Sequence, residues 1–203
     1  MDKADATDPR LKVPGFWGWL FKRDADGDRG LANVVNRWLV FHATVAAAAA
    51  YLSQADATTV AKTVALPGSA ILIGLAFGWA GRSAGLLQDK SFSKFLIENG
   101  PSPEGYVYAF QLAVLAVLTF IATAIVLILG GIGFSTGDAG NDNAINRGIL
   151  FFVGSVAVRE SWGIIYFVNK LTIQYYRVRE NELADEAEKK AEEEARAKRE
   201  AGN

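Results

Sequence analysis

The chain has 203 residues, half of them apolar, with a formal net charge of −1, one histidine and no cysteine. Near-neutral charge excludes a bulk polycation for nucleic acid, and the missing cysteines exclude disulfides, thiolate chemistry and cysteine-ligated metals. What decides the class is distribution: charges gather at the two ends, and residues 105–135 hold no Lys, Arg, Asp or Glu. About 20 apolar residues cross a hydrocarbon core of about 30 Å, so this pattern is that of an integral membrane protein.

The first 14 residues are polar and read as disordered, without the features of a secretory signal peptide; the first long apolar run, starting near Trp38, would serve as an uncleaved signal anchor. The stretch GFWGWLFKR follows, with Trp17 and Trp19 set beside Lys22 and Arg23. Aromatics next to cations suit a membrane interface, so Trp17 and Trp19 are candidate interfacial anchors; a hydrophobic plug packed on the protein itself is the alternative. RDADGDRG has an acidic spacing like a calcium loop, but its Gly and closing Glu are misplaced, so no metal site is assigned.

Four spans are expected, at about 35–53, 63–87, 106–134 and 147–170, in an all-α antiparallel bundle. Residues 1–34 form the N-terminal segment, 35–170 the membrane domain and 171–203 a charged helix. Pro67 falls in the first turns of the second span, where proline costs least. Basic residues crowd the N-terminal segment, the second loop (Lys90, Lys94) and the start of the C-terminal segment; the first loop has Lys62 and the third, up to Arg147, has Asp138 and Asp142. Both termini are therefore expected in the cytoplasm, of a bacterial inner membrane. No Gly or Pro separates the fourth span from YYRVRENELADEAEKKAEEEARAKREAGN, so one helix should run on past the bilayer. Glu186/Lys190, Glu192/Arg196 and Glu194/Lys198 are helix-supporting i,i+4 pairs. After Leu183 only alanines remain as apolar residues, which disfavours a strong coiled coil and suits a solvated helix or an oligomer-forming stalk.

The chemistry-bearing residues lie inside the apolar runs. Arg159 and Glu160 sit eleven to twelve residues into the fourth span, about 16 Å deep. A charge there costs at least about 2.5–3.5 kcal/mol. Neighbours on a helix point about 100° apart, so each is expected to find a partner elsewhere. His42, Arg82 and Gln111 lie at compatible depths and complete a candidate intramembrane polar cluster, with Glu160 reaching Arg82 or His42 and Arg159 turned to a hydrated centre or a neighbouring subunit. Gly74, Gly78, Gly81 and Gly85 are candidate helix-packing positions, within the chain or between chains. A lone histidine without a pigment signature is a bundle residue rather than a haem or chlorophyll ligand, so no cofactor is expected.

No Walker phosphate loop, G-x-S-x-G, H-E-x-x-H or selectivity-filter sequence is present, and the reading is not an enzyme. In outline of spans and topology the chain resembles small multi-span bacterial proteins that act as channels or effectors, including those of anti-phage systems. The functional reading is a homo-oligomeric ion-conducting pore or membrane effector, with the fourth span lining the centre through Arg159 and Glu160 and the cytoplasmic extension gating it or sensing a partner. The likeness itself assigns no functional residue. The alternative is a non-conducting scaffold or accessory subunit. Expected partners are the lipid bilayer, further copies of the chain, and a cytoplasmic protein or small-ligand regulator.

Overall fold

The structure is a computed structural model. It describes residues 15–21, 32, 34–99, 103–131 and 137–201. The polar N-terminal tail, the acidic RDADGDRG stretch and the last residues of the third expected span lie outside the described residues. Among those described, all regular structure is helical. The helices are α1 (Phe16–Phe21), α2 (Arg37–Leu52), α3 (Ala57–Leu87), α4 (Lys90–Asn99), α5 (Pro103–Ile128) and α6 (Ala139–Ala201).

Three of them, α3, α5 and α6, are long and apolar enough to cross a membrane. The first expected span falls short. Its helix, α2, has 16 residues, about 24 Å at 1.5 Å per residue, against about 30 Å of hydrocarbon. The side chain of Asn36 fixes where it starts, accepting a bond from the Trp38 amide at 2.9 Å.

The second expected span starts earlier than the hydropathy indicates. Asp56 accepts from the Thr59 amide at 3.1 Å and opens α3 at Ala57, so Pro67 lies inside the helix rather than in its first turn. A proline ring collides with the carbonyl four residues back and offers no N–H. The helix answers with a wider π turn over Ala61–Ala65, immediately before the proline. The expected third loop is likewise mostly helix. Asp138 caps it, its Oδ1 accepting from the Gly140 amide at 2.9 Å, and α6 begins at Ala139. α5 ends where Gly130 and Gly131 take positive φ; Asn146 packs against the backbone there, 3.2 Å from where a β-carbon on Gly131 would stand.

α6 is the axis, and it runs unbroken from the third loop to Ala201, as the helix-forming composition of the tail leads one to expect. Its inward face repeats at helical spacing: Leu150, Ala157, Ile164, Val168 and Leu171 are all buried. Leu150 packs with Ala124 and Leu127 of α5 and the π turn of α3. Ile164 and Val168 pack with Ala76 and Ala113. At Gly154 the ring of Phe120 stands 2.9 Å from where a β-carbon would be, so only glycine admits α5 this closely. Near the far end of the bundle α4, a helix within the expected second loop, lays Phe92 and Leu96 against Leu171. Asp89 caps α4, accepting from the amides of Ser91 and Phe92, and takes a bond from the Tyr175 hydroxyl at 3.3 Å.

Beyond the bundle α6 continues as an exposed stalk. Its ion pairs among the described residues are Arg179–Glu182 and Arg196–Glu200, each at 3.1 Å. The i,i+4 pairs read from the sequence at 186/190, 192/196 and 194/198 are not closed. Arg196 turns to Glu200 instead of Glu192; all six residues are solvent-facing, where any one such pair contributes little.

Candidate functional site

The polar residues inside the bundle are organised by the contact between α2 and α6, which run antiparallel. At one end, Arg147 of α6 is buried and its guanidinium donates to two backbone carbonyls. Nε and NH2 reach the Ala50 oxygen at 3.3 and 3.1 Å, and NH1 reaches the Ala55 oxygen at 2.9 Å. Those carbonyls belong to the last turn of α2 and the connection after it, where helix carbonyls lack intrahelical partners and the dipole is negative. One turn earlier on α6, the Asn143 side chain accepts from the Ala57 amide at 2.8 Å, at the start of α3. Asn143 and Arg147 thus tie down both helix ends flanking the 53–56 connection. Neither was singled out from the sequence. Their placement four apart, opposite a short polar loop, was the available signal.

Twelve residues further along α6, about 18 Å, lie Arg159 and Glu160. The expectation that adjacent residues cannot partner is corrected: Arg159 Nε donates to Glu160 Oε1 at 2.9 Å, and NH2 contacts the same oxygen. The backbone directions do diverge, but the arginine stem is long enough to fold its guanidinium over the neighbouring carboxylate. Arg159 NH2 also reaches the Val34 carbonyl, 3.4 Å away, just ahead of α2. The two side chains are 22% and 17% exposed, so they face α2 rather than an open centre. His42, half-buried on α2, lies within electrostatic range of both charges. The structure therefore brings Arg159, Glu160 and His42 together.

It does not bring Arg82 or Gln111 to them. Arg82 is exposed and lies over the Trp79 ring of its own helix, 5.4 Å from the centroid, a cation–π contact that stands in for a carboxylate. Gln111 is exposed on α5. The glycine expectation is also revised. A β-carbon at Gly74, Gly78, Gly81 or Gly85 would meet nothing within 4 Å, so these residues do not serve close helix approach within the chain. Gly154, which does, lies in the fourth span instead. Trp19 is buried against Tyr108, ring centroids 5.4 Å apart, so it plugs the chain onto α5 and is not a free interfacial anchor. Trp17 remains exposed, stacked on Phe21.

Above the Arg159–Glu160–His42 cluster runs an apolar groove of about 460 Å³ between α2, α3 and α6, with Val45, Ala49, Val64, Gly68, Ile71 and Val158 among its walls. It exists because α2 packs chiefly on α6 and leaves a gap toward α3. The one hydroxyl on its walls, Ser155, donates to the Phe152 carbonyl of its own helix at 2.8 Å, and among the described residues no group of His, Asp and Glu is placed to hold a metal ion. What the arrangement does chemically is hold a short helix in place: one arginine at each end of α2, each bonded to its flanking backbone. Comparison with family models, with curated proteins and with solved structures finds no match.

Proposed function

We propose that the protein is a non-enzymatic, non-conducting membrane scaffold: a compact helical bundle whose job is to hold one long charged helix at a fixed place and angle on the membrane. One observation carries this reading. The charges inside the bundle are spent on internal bonds, Arg147 on the α2 carbonyls and Arg159 on Glu160 and Val34, while past its contacts with α4 the helix α6 continues unbroken and exposed for about nineteen residues. In this reading the stalk is the working surface, offered to a cytoplasmic partner, and the bundle is its mount. α2 crosses as a short fourth span with its Arg159-facing end set below the headgroups, both termini lie in the cytoplasm, and the membrane is a bacterial inner membrane.

The pore suggested by Arg159 in an apolar run needs that side chain to face a lumen, and its bonds to Glu160 and the α2 flank favour the scaffold over it. Planar-bilayer recording of the purified protein tests the choice. The expected result is a silent bilayer, with Arg159→Ala weakening the docking of α2. Conductance steps whose ion preference changes with Arg159→Ala would overturn the scaffold and restore the pore. The topology is tested separately by single cysteines at positions 140 and 180, expected to label from opposite sides of the membrane.

A further inference from the structure

The outward face of α6 carries a pattern that its lipid-facing or solvent-facing surroundings do not explain. Past the groove, the large apolar residues that α6 leaves exposed are Trp162, Tyr166, Ile173, Tyr176 and Leu183, between 54% and 69% accessible. They fall on one strip with heptad spacing. Trp162, Asn169, Tyr176 and Leu183 are seven apart, and so are Tyr166, Ile173, Glu180 and Ala187. The strip prolongs an interface already in use: α2 covers this side of α6 from Arg147 to Arg159, and past the start of α2 no described residue covers it.

Lipid does not fit as the cover of the whole strip. Asn169 lies in it between Tyr166 and Ile173, exposed, with no side-chain hydrogen-bond partner among the described residues, one residue before Lys170. Ile173, Tyr176 and Leu183 lie beyond Lys170, in the part of the helix that gathers charge and belongs to water. A cover that fits both halves is a helix that runs beside α6 through the same boundary, and copies of one chain inserted in the same orientation run parallel there. A second copy of α6 meets that requirement by symmetry, since a two-fold axis sets each strip residue against its own equivalent.

We infer that the chain is a parallel homodimer joined along α6 from Trp162 to about Ala187. Asn169 pairs with Asn169 of the second copy and fixes the register, as a polar residue in an apolar seam does. Past Ala187 the seam runs out into alanines and charges, and the two stalks part. The inference does not need the scaffold reading: the seam stands on exposure and spacing alone, and a conducting dimer would use it equally.

The native sequence has no cysteine, so single cysteines can be placed cleanly. In oxidised membranes of full-length protein, Tyr176→Cys and Leu183→Cys are expected to cross-link about tenfold more than Asp185→Cys on the outward side, because a disulfide needs Cα atoms within about 7 Å. Ile173→Glu in the Tyr176→Cys background should abolish the cross-link. Mixed Tyr176→Cys and Leu183→Cys chains should give no heterologous bond. Equal cross-linking at 176, 183 and 185, or bonding between 176 and 183, overturns the seam. So does a monomer whose Tyr176→Cys resists maleimide, since another part of the same chain would then cover the strip. If Ile173→Glu fails to accumulate, the 176 against 185 contrast still decides.

Discussion

Arg147 and Arg159 stand twelve residues apart on one helix, both beside α2, and solve the same problem differently. Arg147 makes no ion pair among the described residues and is the more deeply buried; carbonyls around the C-terminal end of α2 satisfy it. Arg159 lies by the opposite end of α2, where the helix dipole repels a cation, and brings its own counter-charge in Glu160. A helix C-terminus can take in an arginine that a helix N-terminus cannot, and the sequence alone shows only that both are arginines.

The comparison is tested most severely at the better-buried residue. Arg147→Ala strands the Ala50 and Ala55 carbonyls and should destabilise the protein by about 3 kcal/mol, at about 1–3 per unsatisfied buried group. Arg147→Lys should recover only part of this, since an ammonium cannot reproduce the fork. Denaturation in mixed micelles reads both, and an unchanged midpoint for Arg147→Ala would end the argument that this residue clamps α2. Glu160→Gln should cost less, about 2 kcal/mol, because the pair keeps some solvent access. The double change Arg159→Met/Glu160→Leu should return most of that loss; if it is worse than Glu160→Gln alone, the pair contributes more than mutual neutralisation.

A second contrast sets the glycines against each other. Gly154→Ala pushes a methyl into Phe120 and should cost about 1–3 kcal/mol. Gly78→Ala meets nothing in the chain and should be neutral or stabilise by up to about 1 kcal/mol through helix propensity. The same denaturation series ranks them. The smallest expected effect is at Asp89. The Phe92 amide holds its carboxyl below the usual range, against desolvation, helped by the Ser91 amide, the Tyr175 hydroxyl and Arg179. A depressed carboxylate stabilises above its unfolded value, about 3.9, and that contribution is lost as pH falls through the folded value. Asp89→Asn should therefore flatten the acid limb below about pH 4 while lowering stability slightly at neutral pH.

Much of the helical plan was legible because it depends on averages. A run of thirty residues without charge, or a tail of Glu, Ala, Lys and Arg, is read the same way wherever its neighbours lie. What was not legible depends on who stands opposite. Asp138 read as a loop acid and Asp56 fell between the first two expected spans, but each caps a helix and lengthens it. Pro67 read as a start signal because the π turn ahead of it leaves no hydropathy trace. Phe92, Phe95 and Leu96 do carry an amphipathic signal behind the Asp89 cap, and α4 could have been found from it. Of the polar residues grouped by their expected depth, His42, Arg159 and Glu160 share one side of the bundle, whereas Arg82 and Gln111 face elsewhere, since depth alone carries no azimuth. The seam along α6 was hidden for another reason. Treating span and tail as separate segments cut a single heptad repeat in two at Lys170.

The unbroken course of α6 has a mechanical consequence. Past Glu182, the last residue held against α4, about nineteen residues project, roughly 28 Å of stiff rod without a glycine or proline before residue 201. Tilting its root by about ten degrees would sweep the tip sideways by about 5 Å, roughly half the width of a helix. A shift too small to alter the packing of the bundle would thus arrive at the far end large enough to engage or release whatever is held there.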